Sequence, residues 1–319
     1  MNITIRNFQF DDLPALVAVI NRAAEADREE TTTIGDLRAR LERPYFYPEQ
    51  NCFVAALPDG EIVGYTTAEI HPSAGLGWGT GCVDPAHRRQ NIGRTLIETA
   101  DMRHLELTKI TPDMALSVSR ICRDTNESAR ILYESTGYAI CRANWFMHID
   151  FENTFDETQL PDGFGLRAFD RERDARMVWA ISGEIFQDSP GFAQPPFEVW
   201  ENFMFPEGHD DALWLIAVDH QLDDETVAGI CLSKPKHNKP NTGWVEPLGV
   251  RLAYRKRGLG SALLQRSFYV MHKQGYTAAE LSVDAENTSD AVALYQRAGM
   301  QADCCYLSYQ KVLHGTVQD

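Results

Sequence analysis

The stretch Arg255-Lys256-Arg257-Gly258-Leu259-Gly260 follows an apolar run ending in Leu248-Gly249-Val250 and leads into the helical pattern Ser261-Ala262-Leu263-Leu264. A strand that ends in a glycine-bearing turn and opens into a helix gathers free backbone N–H groups and the positive end of the helix dipole in one place. A diphosphate suits that place, because glycine lets the main chain approach closely and flanking cations add attraction. One further side chain can do proton chemistry beside it. Glu246 lies four residues before Val250, on the same strand face by the period of two, and can take a proton from an ammonium directly or through water. Tyr295 closes the helical pattern Ala291-Val292-Ala293-Leu294, a position that by itself suits a packed core. The same spacings also suit a carboxylate at a strand edge and a tyrosine packed in a core.

The elements needed to position these residues occur twice. Gly81-Cys82-Val83, Asp84-Pro85-Ala86-His87 and Arg88-Arg89-Gln90-Asn91-Ile92-Gly93-Arg94 run in the order of Leu248-Gly249-Val250, Arg251-Leu252-Ala253-Tyr254 and the Arg255 turn. Downstream, the segment from Asn126 to Tyr133, followed by Gly137, answers the segment from Asn287 to Tyr295, followed by Gly299. The arginines are 167 positions apart and the asparagines 161, so the chain is a duplication. Each copy opens with a short strand and an amphipathic helix (13–24 and 173–184), continues through a hairpin to a third meander strand (78–83 and 244–250), then runs helix, strand, helix, strand. That order predicts an α+β fold of two tandem domains, each a mixed, mostly antiparallel central sheet flanked by helices. The polar stretch 152–163 separates them into domains 1–155 and 156–319. Segment 187–211 is an insertion in the second copy, and its aromatic residues either line an acceptor pocket beneath a lid or cluster over the sheet.

This combination resembles the GCN5-related N-acetyltransferase (GNAT) superfamily, whose signature is an R/Q-x-x-G-x-G/A turn after a strand and, downstream, an N-x-x-A-x-x-L-Y helix before a glycine. Arg255, Gly258 and Gly260 match the turn fully. The first copy has Arg88 and Gly93 but Asn91 in place of the first glycine. Asparagine best tolerates a left-handed backbone among non-glycine residues, which leaves either a retained turn or an altered first site. The copies cover nearly the whole chain, a layout similar to two-domain acetyltransferases of the mycothiol synthase kind. The resemblance implies acetyl-CoA as co-substrate, with the backbone of Leu248, Gly249 and Val250 along its acetyl and pantetheine portion. It further implies Arg255, Lys256, Arg257, Gly258, Leu259, Gly260 and Ser261 at the diphosphate and Asn287 beside the later part of CoA. The first-copy counterparts are Val83, Arg88, Arg89, Asn91, Gly93, Arg94 and Asn126. Tyr295 is implied as the acid for the departing thiolate, with Tyr133 as its counterpart. The positions in the first copy equivalent to Glu246 and two residues before it are Gly79 and Gly77, which cannot take a proton, so the second copy is expected to be catalytic.

Composition narrows the partners. Thirty basic against 46 acidic residues give a formal charge of −16, which repels nucleic acid and favours a neutral or cationic acceptor. With 319 residues, 44% of them apolar, the chain can bury a core in each of two domains. Seven cysteines without C-x-x-C spacing read as reduced core residues, and nine histidines without ligand spacing point away from a metal. No charged leader precedes an apolar run, and no membrane-length apolar stretch occurs, so the expectation is a cytoplasmic protein, monomeric or homodimeric, with no membrane partner. The reading is an N-acetyltransferase acting by direct attack of a small-molecule primary amine in a ternary complex. Peptide or protein N-acetylation and a non-catalytic acyl-CoA sensor are its alternatives.

Overall fold

A computed structural model of the chain describes residues 3–43, 46–70, 75–108, 115–151, 156–187, 192, 194–205, 209–222, 226–236, 239–285 and 291–315. The chain divides into two compact units, Met1–Asn144 with Cys305–Asp319, and Trp145–Cys304.

The first unit runs β1 (Thr4–Asn7), α1 (Leu13–Asp27), α2 (Ile34–Leu41), α3 (Pro48–Asn51), β2 (Cys52–Ala56), β3 (Ile62–Thr67), β4 (Glu69–Ile70), β5 (Leu76–Trp78), β6 (Gly81–Val83), α4 (Ile92–Thr108), β7 (Leu116–Arg123), α5 (Glu127–Ser135) and the start of β8 (Ala139–Asp150). Strands β1-β2-β3-β6 form an antiparallel sheet. β2 and β3 are buried along their whole length, as unbroken apolar runs must be when both faces of a sheet are covered. Val54 packs on one face with Leu16, Val19 and Leu37, while Ala55 and Val63 pack on the other with Ile92 and Leu96. The single meander strand expected at 78–83 is two strands. Gly79 and Thr80 break it, with the Gly79 N–H donating to the Ser119 carbonyl (3.3 Å) and the Thr80 N–H to Thr67 Oγ1 (3.0 Å). β5 thereby pairs parallel with β7 while β6 stays beside β3.

The second unit continues with β9 (Phe164–Ala168), α6 (Arg171–Phe186), α7 (Phe197–Met204), β10 (Trp214–Asp219), β11 (Val227–Pro235), β12 (Thr242–Val250), α8 (Leu259–Lys273), β13 (Ala278–Asp284), α9 (Ala291–Arg297) and the start of β14 (Gln301–His314). Its sheet has the order β8-β13-β12-β11-β10-β9, antiparallel from β9 to β12 and parallel between β12 and β13. The aromatic insertion forms a cluster. Trp200 and Phe205 stack around Trp214 with Phe169, at centroid separations of 4.6 to 6.0 Å. Phe192 and Phe203 are exposed. Chain membership changes inside two strands: β8 leaves the first unit after Asn144, and β14 joins it from Cys305 on, lying antiparallel to β7 from Tyr306↔Arg123 to His314↔Leu116. Both units are therefore mixed sheets flanked by helices, and the cysteines are free thiols, most of them buried, although Cys141 is exposed.

The duplication extends to packing detail. A Cβ on Gly64 would sit 2.9 Å from the Cys82 carbonyl oxygen and 3.2 Å from Leu96 Cδ1; one on Gly229 would sit 3.0 Å from the Gly249 carbonyl oxygen and 3.2 Å from Leu263 Cδ1. Backbone oxygen cannot yield as a side-chain tip can, so Gly64→Val and Gly229→Val are each expected to cost about 1–3 kcal/mol by overpacking. Urea unfolding midpoints of the two variants check this, and midpoints equal to wild type would refute it.

Candidate active site

In the second unit β12 pairs with β13 for three residues only, Thr242↔Ala278, Gly243↔Ala279 and Trp244↔Glu280. Both strands continue, β12 to Val250 and β13 to Asp284, without pairing, so a fork opens beyond Trp244. The outer arm leads into the Arg255 turn. Lys256 (φ 62°) and Gly258 (φ 80°) are left-handed, and Gly258 caps α8 without offering a side-chain acceptor to the first helical N–H groups. Leu259, Gly260 and Ser261 begin the helix, and Lys256 and Arg257 are exposed beside the turn. That cradle fits a diphosphate by donor chemistry and shape. Arg255 has a different task from the one expected of its charge: its Nε donates to the Val250 carbonyl (3.0 Å) and its Nη2 to that of Ile185 (3.3 Å), bracing the strand end.

The Glu246 face differs from expectation. Gly243 faces Met271 of α8, whose Sδ lies 2.4 Å from the point a Cβ would occupy, and Val250 faces Gly260 of the same helix. Seven residues separate them, so strict alternation would put them on opposite faces. A β-bulge between the pairs Cys231↔Leu248 and Ser233↔Val245 inserts the missing residue at Glu246-Pro247. Glu246 consequently lies on the sheet face away from α8, exposed, with Trp244 Nε1 donating to its carboxylate at 2.6 Å. Tyr295 lies on α9, whose Leu294 comes within 3.5 Å of the Cβ position of Gly260. Burial, with the Cys231 thiol as a lesser cause, pushes the Tyr295 phenol up to about 12. The turn, the open strand edge and Tyr295 are thus assembled on the α8 side. Asn287 lies outside the described residues.

A group not singled out from sequence stands at the fork. Glu280, opposite Trp244, is buried, with Lys236 and Lys239 as ion-pair partners and His148 Nδ1 at 3.3 Å. Burial works against its charge, but the two ammonium groups hold it below the usual carboxylate range. Nearby, Lys234 Nζ lies 3.9 Å from the Phe203 ring centroid.

The first unit repeats the geometry with altered contents. β5 pairs with β7 through Trp78↔Ser119 and no further. Arg89 (φ 62°) and Asn91 (φ 63°) take the left-handed positions of Lys256 and Gly258, so the turn is retained. Arg88 Nε donates to the Val83 carbonyl (3.1 Å), as Arg255 does to Val250, and its guanidinium also pairs with Asp27. Gly93 admits Leu132, 2.8 Å from its Cβ position; Arg94 Nη2 donates to the Ser135 carbonyl (3.2 Å). Asn126 caps α5 by accepting from the Ala129 N–H (3.0 Å). Tyr133, also pushed up to about 12 by burial, donates to the Ile121 carbonyl at 3.4 Å. Gly77 and Gly79 offer no carboxylate, yet Glu29, just after α1, is bonded by the Tyr306 hydroxyl and raised by desolvation. Its sequence position in a polar helix-end run gave no signal of that burial.

Two family models match the chain, the acetyltransferase (GNAT) family over residues 177–300 and the acetyltransferase (GNAT) domain over residues 48–140, together more than half of its length. The chain is similar to mycothiol acetyltransferases of Salinispora arenicola (29% identity over 281 residues, 85% of this chain and 84% of that one) and Salinispora tropica (28% over 304 residues, 94% and 92%). A GCN5-related N-acetyltransferase from Sphaerobacter thermophilus superposes with TM-score 0.86 at 28% identity, covering 99% of this chain and 97% of the other. A tandem GNAT protein from the clavulanic acid biosynthesis pathway shares the fold at TM-score 0.72 and 14% identity, covering 99% and 100%.

The left-handed Asn91 gives a direct test of the retained turn. Asn91→Gly is expected to leave stability within a few tenths of a kcal/mol, whereas Asn91→Val costs about 1–2 kcal/mol, because a side chain branched at Cβ crowds the main chain at positive φ and lacks the amide that eases asparagine there. Equal unfolding midpoints for the two variants would contradict the turn geometry.

Proposed function

This chain belongs to the GCN5-related N-acetyltransferase superfamily as a tandem of two GNAT domains and is an N-acetyltransferase, and from that premise we propose that its second domain moves an acetyl group from acetyl-CoA to a primary amine of a small molecule. The two sequence repeats are proposed to span 1–155 and 156–319, while residues 305–319 fall in the first compact unit and count with the first domain. The observation that carries this reading is the fork: β12 leaves β13 after Trp244 and continues, one edge open, to the left-handed turn at Gly258. The relatives called mycothiol acetyltransferases support a mycothiol-related amine as acceptor, and the net charge of −16 favours a neutral or cationic one. The reading carries with it a cytoplasmic setting, in keeping with free thiols and with the absence, among the described residues, of any helix long and apolar enough to cross a membrane.

Acetyl-CoA bound at the turn supplies an acyl carbon already activated as a thioester. The open edge of Leu248, Gly249 and Val250 would hold the pantetheine arm and present N–H groups to the thioester oxygen as negative charge develops there. Lys256, Arg257 and the first amides of α8 would hold the diphosphate. Glu246, oriented by Trp244, takes the ammonium proton directly or through one water and leaves the amine with a free lone pair. Tyr295 keeps its proton well above neutral pH and returns one to the departing sulfur. These two groups lie on opposite faces of the sheet. The opening between the strands joins the faces, so that the amine arrives from one side and the thiolate is met on the other.

Tyr295→Phe and Glu246→Gln should each lower kcat by about 10²–10⁴-fold while saturable CoA binding is kept. Assay of thiol release with acetyl-CoA and an amine panel that includes mycothiol precursors reads this; full turnover in both variants removes the assigned roles. Because the phenol sits near 12, wild-type kcat should show no Tyr295 titration up to pH 10, where an unperturbed tyrosine is half ionised. An alkaline fall centred near 10 that vanishes in Tyr295→Phe would contradict the buried acid.

A further inference from the structure

The two forks differ at their crotch. Immediately past the last paired residues, the second fork carries Val245 and Leu281, both buried and apolar, whereas the first carries Gly79 and Arg120. Arg120 faces α4, since Val118, two residues earlier, lies 3.0 Å from the Cβ position of Gly77, which His104 of α4 also touches. Its side chain is 2% exposed, its Nη1 lies 3.3 Å from the Cβ position of Gly79, its Nε is buried without a hydrogen-bond partner, and its Nη2 is ion-paired with Asp101 at 3.5 Å without a close hydrogen bond. A guanidinium left incompletely satisfied at this depth is costly unless a further acceptor meets it.

The surroundings decide what kind of acceptor. Asp101 is the carboxylate nearest Arg120, 3.5 Å away, and it already accepts from the Tyr138 hydroxyl (2.5 Å) and from Lys311 Nζ (2.9 Å). The cluster therefore holds two cations against one anion. Arg120 lies over the Tyr138 ring at 5.4 Å, and Tyr138 in turn packs on Tyr133, the counterpart of the proposed acid Tyr295, at 6.2 Å. The turn that would hold a diphosphate is retained in this unit through Asn91. A neutral acetyl group would leave the excess charge standing, whereas a carboxylate matches the guanidinium by both charge and donor geometry.

From these observations we infer that the first domain binds a CoA thioester whose acyl chain ends in a carboxylate, the carboxylate being received by Arg120. The inference rests on the CoA reading given above and narrows it for this domain. It assigns Arg120 as a binding residue and adds no chemical step.

The test uses the full chain carrying Gly260→Asp, which sets a carboxylate against any diphosphate in the second domain. The Gly260 Cβ position meets only ordinary contacts of 3.5 and 3.6 Å, so the fold should tolerate it. Calorimetric titration with CoA, acetyl-CoA and succinyl-CoA is expected to show one site that prefers succinyl-CoA by about tenfold or more. Arg120→Gln should abolish the preference, and Arg120→Leu, which installs the residue of the second fork, should turn it toward acetyl-CoA. Equal affinity for the three ligands, or a preference that survives both substitutions, overturns the inference while leaving CoA binding intact. Absence of binding by all three ligands, in wild type as in Gly260→Asp, would instead bring down the CoA reading and the inference with it. If both Arg120 variants unfold, the ligand preference in the Gly260→Asp chain decides alone.

Discussion

A parallel strand pair that holds for three residues and then lets go is the constraint from which the rest of each unit follows. Backbone N–H and C=O groups along a strand require partners, and an unpaired edge within a sheet is ordinarily a liability. Here the edge is kept open because the bulge at Glu246-Pro247 turns β12 away from β13, and because Gly243 and Gly249 let α8 and α6 close on either face of the same strand. The site is consequently made largely of main chain. Side chains with the right charge, Arg255 and Arg88, serve to fix where that main chain ends.

The duplication shows which parts of this arrangement are mechanical and which carry specificity. Close glycine contacts at Gly64 and Gly229, the left-handed turns and the arginine braces recur in both units around the same strand-to-helix junction. The lining of the fork is free to change. Gly79 with Arg120 replaces Val245 with Leu281, Ser119 replaces Glu280, and the bulge that carries Glu246 is answered by the break at Gly79-Thr80. One scaffold thus presents, just past its last paired residues, an apolar pair in one unit and a glycine with a buried arginine in the other.

Much of this was legible in the sequence. The repeated order of elements, the turn at Gly258 and the tolerance of Asn91 for a left-handed backbone depend on local chemistry and short-range spacing, which sequence records directly. The face of Glu246 was not, because a single-residue bulge reverses alternation while leaving no mark in the hydrophobic pattern. The shared strands were hidden for a related reason: β8 and β14 read as ordinary closing strands, and nothing local says which sheet they close. Arg120 did leave a trace. It falls in period two with Leu116 and Val118, and a charged residue at an inward position of a strand is the pattern that marks a buried polar site. The Glu280 cluster left none, since Lys236 and Lys239 lie some forty residues from it along the chain.

The change of unit inside β14 also sets an order of events during translation. The partner strand of β7 is encoded after the whole of the second unit, so the ribosome must add the residues from 145 to 304 before β7 can acquire it. At 5–20 residues per second that is a wait of roughly ten to thirty seconds with the far edge of β7 unsatisfied. Nascent chain emerging in that interval is a natural client for chaperones, and a gene split between the two repeats would yield an amino-terminal product that never receives its last strand.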